Sequence, residues 1–86
     1  MEFLLFSIRG CYPCELATKV LREDFSEMPI TKLNTRDSNL VERYGVRTSP
    51  TLIILDAEEN VVGKLVGAHR ITKNEIQGII AEFFNC

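Results

Sequence analysis

Eighty-six residues, 45% hydrophobic and 26% charged with a net charge of -2, describe one domain, because a chain this short rarely supports two cores. Ten Lys plus Arg against 12 Asp plus Glu leave no basic field for a phosphate backbone, so nucleic-acid binding is not expected. No apolar stretch approaches the roughly 20 residues that span a bilayer, which excludes a membrane-embedded helix.

The opening Met1-Glu2-Phe3 carries an acid where a signal peptide carries positive charge, and its apolar run ends early, so a mature N-terminus is expected. Residues 3–8 form an apolar run of strand length, and the 10–13 segment that follows carries turn residues and a Pro suited to a first helical turn. From Cys14 onward Ala17, Val20, Leu21, Phe25 and Met28 recur at helical spacing, with Lys19, Arg22, Glu23 and Glu27 on the other side. Pro29 ends that helix, and residues 30–33 form a short second strand. Asp37 or Ser38 can cap a short helix bearing Leu40, Val41 and Tyr44, with Gly45 placed to end it.

Thr51–Leu55 is apolar on both faces, as a central strand covered on two sides requires. Residues 56–60 are a polar turn, and Val61–Val66 returns as the second strand of a hairpin. Thr72 and Glu75 make a T-x-x-E capping box for the last helix, Ile71 and Ile76 are placed as its hydrophobic staple, and Ile76, Ile79, Ile80, Phe83 and Phe84 form its expected buried stripe. The order β-α-β-α-β-β-α implies an α/β domain over residues 1–86. Its four-stranded mixed sheet has a parallel βαβ start, an antiparallel final hairpin and helices on both faces.

The cysteines are Cys11, Cys14 and Cys86, an odd count that suits a reducing, cytoplasmic compartment better than a stapled secreted domain. A close pair in that setting points to catalysis or metal binding. Cys11-Tyr12-Pro13-Cys14 places two thiols on one side of a first helical turn, within reach of a disulfide. Cys11 meets the unpaired N–H groups and positive dipole end of the helix, which favour its thiolate and make it the expected nucleophile. Cys14, one turn inside, is then the resolving thiol. Arg9 favours the Cys11 thiolate and Glu15 opposes it. Pro13 stiffens the loop, and Tyr12 is either a substrate contact or an ordinary surface aromatic.

Strand, C-Y-P-C and helix are followed by Tyr44-Gly45-Val46, then Thr48-Ser49-Pro50 leading into Thr51–Leu55, then Val66-Gly67-Ala68 before the capped helix. This pattern resembles the thioredoxin family over nearly the whole chain. The resemblance implies the thioredoxin fold and a thiol–disulfide oxidoreductase, an electron carrier in cell redox homeostasis that needs no bound cofactor or metal. It implies that the Ser49–Pro50 bond is cis, that Pro50 faces the cysteine pair, and that the Ser49 backbone pairs with an extended substrate segment. Gly67 and Ala68 then form a small flat wall beside the site. It further implies a monomer whose partners are protein disulfides, ribonucleotide reductase being one by family analogy, and a flavoprotein dithiol reductase of the thioredoxin-reductase type.

The chain departs from the family pattern in three places. Gly10 replaces the tryptophan before the first cysteine, and the strand before it holds no acid, which leaves proton handling at Cys14 to water or Glu15. The leading β-α unit of full-length thioredoxins is missing, an outline shared with glutaredoxins and small redoxins. Yet Gly67-Ala68-His69-Arg70 stands where a glutaredoxin holds glutathione with an acid, which disfavours the glutathione-dependent alternative. A structural zinc site is a further alternative, but only His69 and Cys86 could complete it, and neither lies in ligand spacing. His69 is expected at the surface or at a hinge, and Cys86 as a terminal thiol. Both cysteines argue against a redox-inert interaction module.

Overall fold

A computed structural model describes residues 1–36 and 38–84, so the cap expected of Asp37 and the terminal thiol of Cys86 lie outside the described residues. The elements are β1 (Glu2–Ser7), α1 (Tyr12–Asp24), β2 (Ile30–Asn34), α2 (Ser38–Tyr44), β3 (Thr51–Leu55), β4 (Val61–Val66) and α3 (Lys73–Phe84). The four strands form one sheet in the order β2-β1-β3-β4. β1 runs parallel to β2 and antiparallel to β3, and β3 and β4 form the antiparallel hairpin.

Side-chain alternation explains why β1 and β3 are apolar throughout. Phe3 and Leu5 of β1 and Leu52 and Ile54 of β3 point to one face, where they pack with Ala17, Leu21 and Phe25 from the α1 side and Ile76 of α3. Leu4 and Phe6, with Ile53 and Leu55, point to the other face, where Leu40, Val41 and Tyr44 of α2 cover them. Helices therefore lie on both faces, and the central strands have no wet side.

Each helix end has a sequence cause. α2 closes in a Schellman turn: Gly45 adopts φ 63°, its N–H donates to Glu42 O, and the Val46 N–H donates to Val41 O. Lys64 Nζ reaches across from β4 to the Tyr44 and Gly45 carbonyls at 3.2 and 2.9 Å. In α3 the Glu75 N–H donates to Thr72 Oγ1 at 3.2 Å, as the capping box requires, and Ile71 and Ile76 are both buried in the same cluster. The Glu75 carboxylate does not complete the box; it pairs with Arg70 instead, at 3.3 Å.

Besides one-residue shifts at the strand ends, the end of α1 and the stripe of α3 differ from the sequence expectation. α1 stops at Asp24, Phe25 is its C-cap, and a turn closed by the Met28 N–H to Phe25 O leads to Pro29. Phe25 and Met28 still pack on the core, so the apolar spacing marked burial and not the length of the helix, while Pro29 disfavours helical backbone only at Met28. The expected stripe also fails at its end, where Phe83 and Phe84 are exposed, at 37% and 72%. Ile79 and Ile80, one turn earlier, do pack against the core, whereas the two rings pack edge to face on each other, centroids 5.3 Å apart.

Candidate active site

β1 delivers the chain to the cysteine loop at the end of the sheet where β1 and β2 finish and β3 begins, with Ser7 opposite Asn34 and Phe6 opposite Thr51. Cys11 is the N-cap of α1, with extended backbone, and Pro13 sits in the first turn. The Cys14 N–H donates to Cys11 Sγ at 3.2 Å. A sulfur thus occupies the position usually taken by a Ser or Asp oxygen, accepting from an N–H that no carbonyl of the helix can reach. The two sulfurs are joined as a disulfide whose Cα atoms are 5.2 Å apart. Cys11 is half-buried, whereas Cys14 is 2% exposed, so the two thiols differ in access as the sequence predicts.

The loop before β3 forms the neighbouring wall. The Ser49–Pro50 peptide is cis, and Pro50 is buried. Its carbonyl accepts the Gly67 N–H at 2.8 Å, so the segments carrying Pro50 and Gly67 meet at this end of the sheet. Gly67 adopts φ 92°, and a Cβ built on it would lie 2.8 Å from His69 Cε1, so this position tolerates no side chain in its present form. His69 is exposed, and its imidazole rests on that glycine. The main-chain N–H and C=O of Ser49 have no partner among the described residues.

Tyr12 is 68% exposed, Ala68 is half-buried, and Arg9 and Glu15 are exposed without an ion pair among the described residues. Ser7 and Thr51 are the buried polar residues among those described, so no buried carboxylate lies near Cys14, in agreement with the acid-free strand. Sequence reasoning missed Thr35. Its hydroxyl hydrogen-bonds the Ser49 hydroxyl, and its N–H donates to Ser7 O at 2.9 Å, which ties the loop before Pro50 to the end of β1. A Thr in a polar turn carries no sequence signal for this contact. No group of three or more His, Cys, Asp or Glu side chains suited to a metal ion occurs among the described residues.

No family model matches the sequence, and no curated protein matches it either. Solved structures do match. A thioredoxin of Nicotiana alata superposes with a TM-score of 0.74 at 22% identity, over 94% of this chain and 70% of its own. Thioredoxin 1 of Thermosipho africanus gives 0.74 at 19% identity, over 99% of this chain and 96% of its own. The fold is that of thioredoxin. A Schistosoma mansoni thioredoxin gives a TM-score of 0.76 at 20% identity, over 95% of this chain and 77% of its own. Coverage of nearly all of the Thermosipho chain means that the thioredoxin fold also occurs in a solved structure of about this length.

Proposed function

We propose that the protein is a thiol–disulfide oxidoreductase that reduces protein disulfides through Cys11 and Cys14 and is recharged by a flavoenzyme of the thioredoxin-reductase type. The observation that carries this is the helix N-cap: a half-exposed sulfur at residue 11 accepts the Cys14 N–H, and a buried sulfur at residue 14 is bonded to it. An N–H aimed at a sulfur stabilises its anion, and the positive end of α1 adds to that.

In the reduced protein the Cys11 thiolate attacks one sulfur of a substrate disulfide. The other substrate sulfur leaves as a thiolate and takes a proton. Cys14 gives its proton to water or to Glu15 and attacks Cys11 Sγ, which releases the second substrate thiolate to be protonated in turn. Two electrons have then passed to the substrate, and the Cys11–Cys14 disulfide remains. The reductase returns two electrons, and two protons complete the dithiol. During attack the free Ser49 main chain pairs with an extended substrate segment, while Pro50, Gly67 and Ala68 form the wall against which it lies and Tyr12 and Pro13 frame the loop.

The protein then acts as a monomeric cytoplasmic electron carrier, with ribonucleotide reductase among its candidate substrates. His69 and Arg70 follow Ala68 in place of an acid that would hold the glutathione amine, which favours the flavoenzyme as donor. A coupled disulfide-reduction assay, run with a thioredoxin reductase and separately with glutathione plus its reductase, tests the donor. Turnover is expected with the first, and turnover with the second alone would transfer the protein to the glutathione-dependent class. Cys14→Ser should accumulate a mixed disulfide with substrate and Cys11→Ser should lose all turnover; full activity in either variant would refute the mechanism.

A further inference from the structure

The charges of this chain are segregated along the sheet. At the cysteine end, where Ser7 opposes Asn34 and Thr51 opposes Val66, the loops carry Arg9, Arg36, Arg47 and Arg70, and Lys73 opens α3. All five are exposed. Arg70 is paired with Glu75, but Arg9, Arg36 and Arg47 have no ion pair among the described residues. Among the described residues the acids at this end are Glu15 and Glu75. The opposite end holds Glu2 at the start of β1, Asp24 and Glu27 at and beyond the end of α1, Asp56, Glu58 and Glu59 between β3 and β4, and Glu82 near the end of α3. A chain of net charge -2 thus sets three arginines that have no ion pair among the described residues, Arg9, Arg36 and Arg47, at its cysteine end, while Arg22 stands among the acids of the far end in the last turn of α1.

Two of those arginines are placed by the hydroxyl contact described above. Arg36 follows Thr35, Arg47 lies two residues before Ser49, and Thr35 and Ser49 are hydrogen-bonded, so the two guanidinium-bearing loops flank the segment whose free main chain is offered to substrate. We propose that Arg36 and Arg47, with Arg9 on the cysteine loop, form a basic rim that selects disulfides carried in acidic protein segments. This rests on the disulfide-reduction reading and names its substrate class. A substrate strand aligned along Ser49 carries its flanking residues past both arginines, within the roughly 10 Å over which exposed charges act at moderate salt. The acidic far end repels the same substrate and so orients the encounter.

Three peptides that share one disulfide ring, flanked by Glu, Gln or Lys, test the rim with chemically reduced protein in single-turnover reduction at low and at high NaCl. The Glu peptide is expected to react on the order of tenfold faster than the Lys peptide at low salt, with the Gln peptide between them and the spread collapsing at high salt. In the Arg36→Gln/Arg47→Gln variant the ratio of Glu-peptide to Gln-peptide rates falls toward one. Equal rates for the three peptides, faster reduction of the Lys peptide, or a ratio untouched by the double substitution would overturn the rim. Failure to reduce even the Gln peptide would overturn the disulfide-reduction reading itself.

Discussion

Thr35 and Ser49 share a hydroxyl–hydroxyl hydrogen bond that joins the turn after β2 to the loop before β3. The Thr35 N–H is held by Ser7 O, so the free backbone of Ser49 is positioned from the end of β1, the strand that also leads to Cys11. Thr35→Val keeps the side-chain shape and removes the hydroxyl. It should cost about 1 kcal/mol in urea unfolding, the usual net value of such a bond. In substrate reduction it should raise KM more than it lowers kcat, because in the proposed mechanism Ser49 holds substrate while Cys11 does the chemistry. Thr35→Ser should restore KM; a Thr35→Val variant with the parent KM would separate this contact from substrate alignment.

The cap geometry makes a prediction for the reduced protein. The Cys14 N–H and the start of α1 both stabilise negative charge on Cys11 Sγ, so its thiol should ionise below the ordinary cysteine range of about 8.5. Cys14, nearly inaccessible, should not follow it. Alkylation of the reduced protein across a pH series, with the labelled site located by mass spectrometry, should modify Cys11 first and at lower pH. Equal labelling of the two sites with the profile of a free thiol would remove the basis for assigning Cys11 as nucleophile.

The order of elements and the cysteine cap were legible because each rests on local chemistry: alternation in β1 and β3, the Thr72 box of α3, the glycine that ends α2, and two sulfurs at a helix start. The cis Ser49–Pro50 bond came only through the resemblance, since a Pro ahead of a strand is trans in most proteins. Where residues far apart decide the outcome, the sequence was silent or misleading. Phe83 and Phe84 have the right spacing for burial and find each other instead of the sheet. Met28 lies on the core although the helix that was to carry it has already ended. The Thr35–Ser49 contact and the polarity of the arginines depend on which loops share one end of the sheet, which no window of the sequence contains.

Asp56 predicts part of the pH dependence of stability. Its carboxylate accepts the Asn60 and Glu58 N–H groups at 2.8 and 2.9 Å in the turn between β3 and β4. The Asn60 N–H above all holds its pKa below the ordinary value of 3.8; desolvation opposes it, and the Asn60 side chain, the Glu58 N–H and the N-terminal ammonium add to the lowering. A group with a depressed folded-state pKa binds fewer protons when folded, so its stabilisation is complete above the unfolded value and is lost as pH falls through the folded one. Asp56→Asn should therefore unfold at lower urea than the parent at neutral pH, and the gap should close as the pH drops below the ordinary carboxylate value. A gap independent of pH would mean that the charge of Asp56 contributes nothing.

Gly63 offers a test of the α3 contact with the sheet. It sits opposite Ile54 beside the register shift in the β3–β4 ladder, and a Cβ built on it would lie 2.8 Å from Ile79 Cγ2 and 2.9 Å from Ile79 Cδ1. The missing side chain is what lets α3 lie close to β4. Gly63→Ala should cost about 1–3 kcal/mol through overpacking, seen as a lower urea midpoint with an unchanged slope. Because the clash is with one residue, the cost should shrink in an Ile79→Ala background, where the space has been vacated, so the double variant should be more stable than the two single losses together imply. Additive losses would place the strain elsewhere than between Gly63 and Ile79.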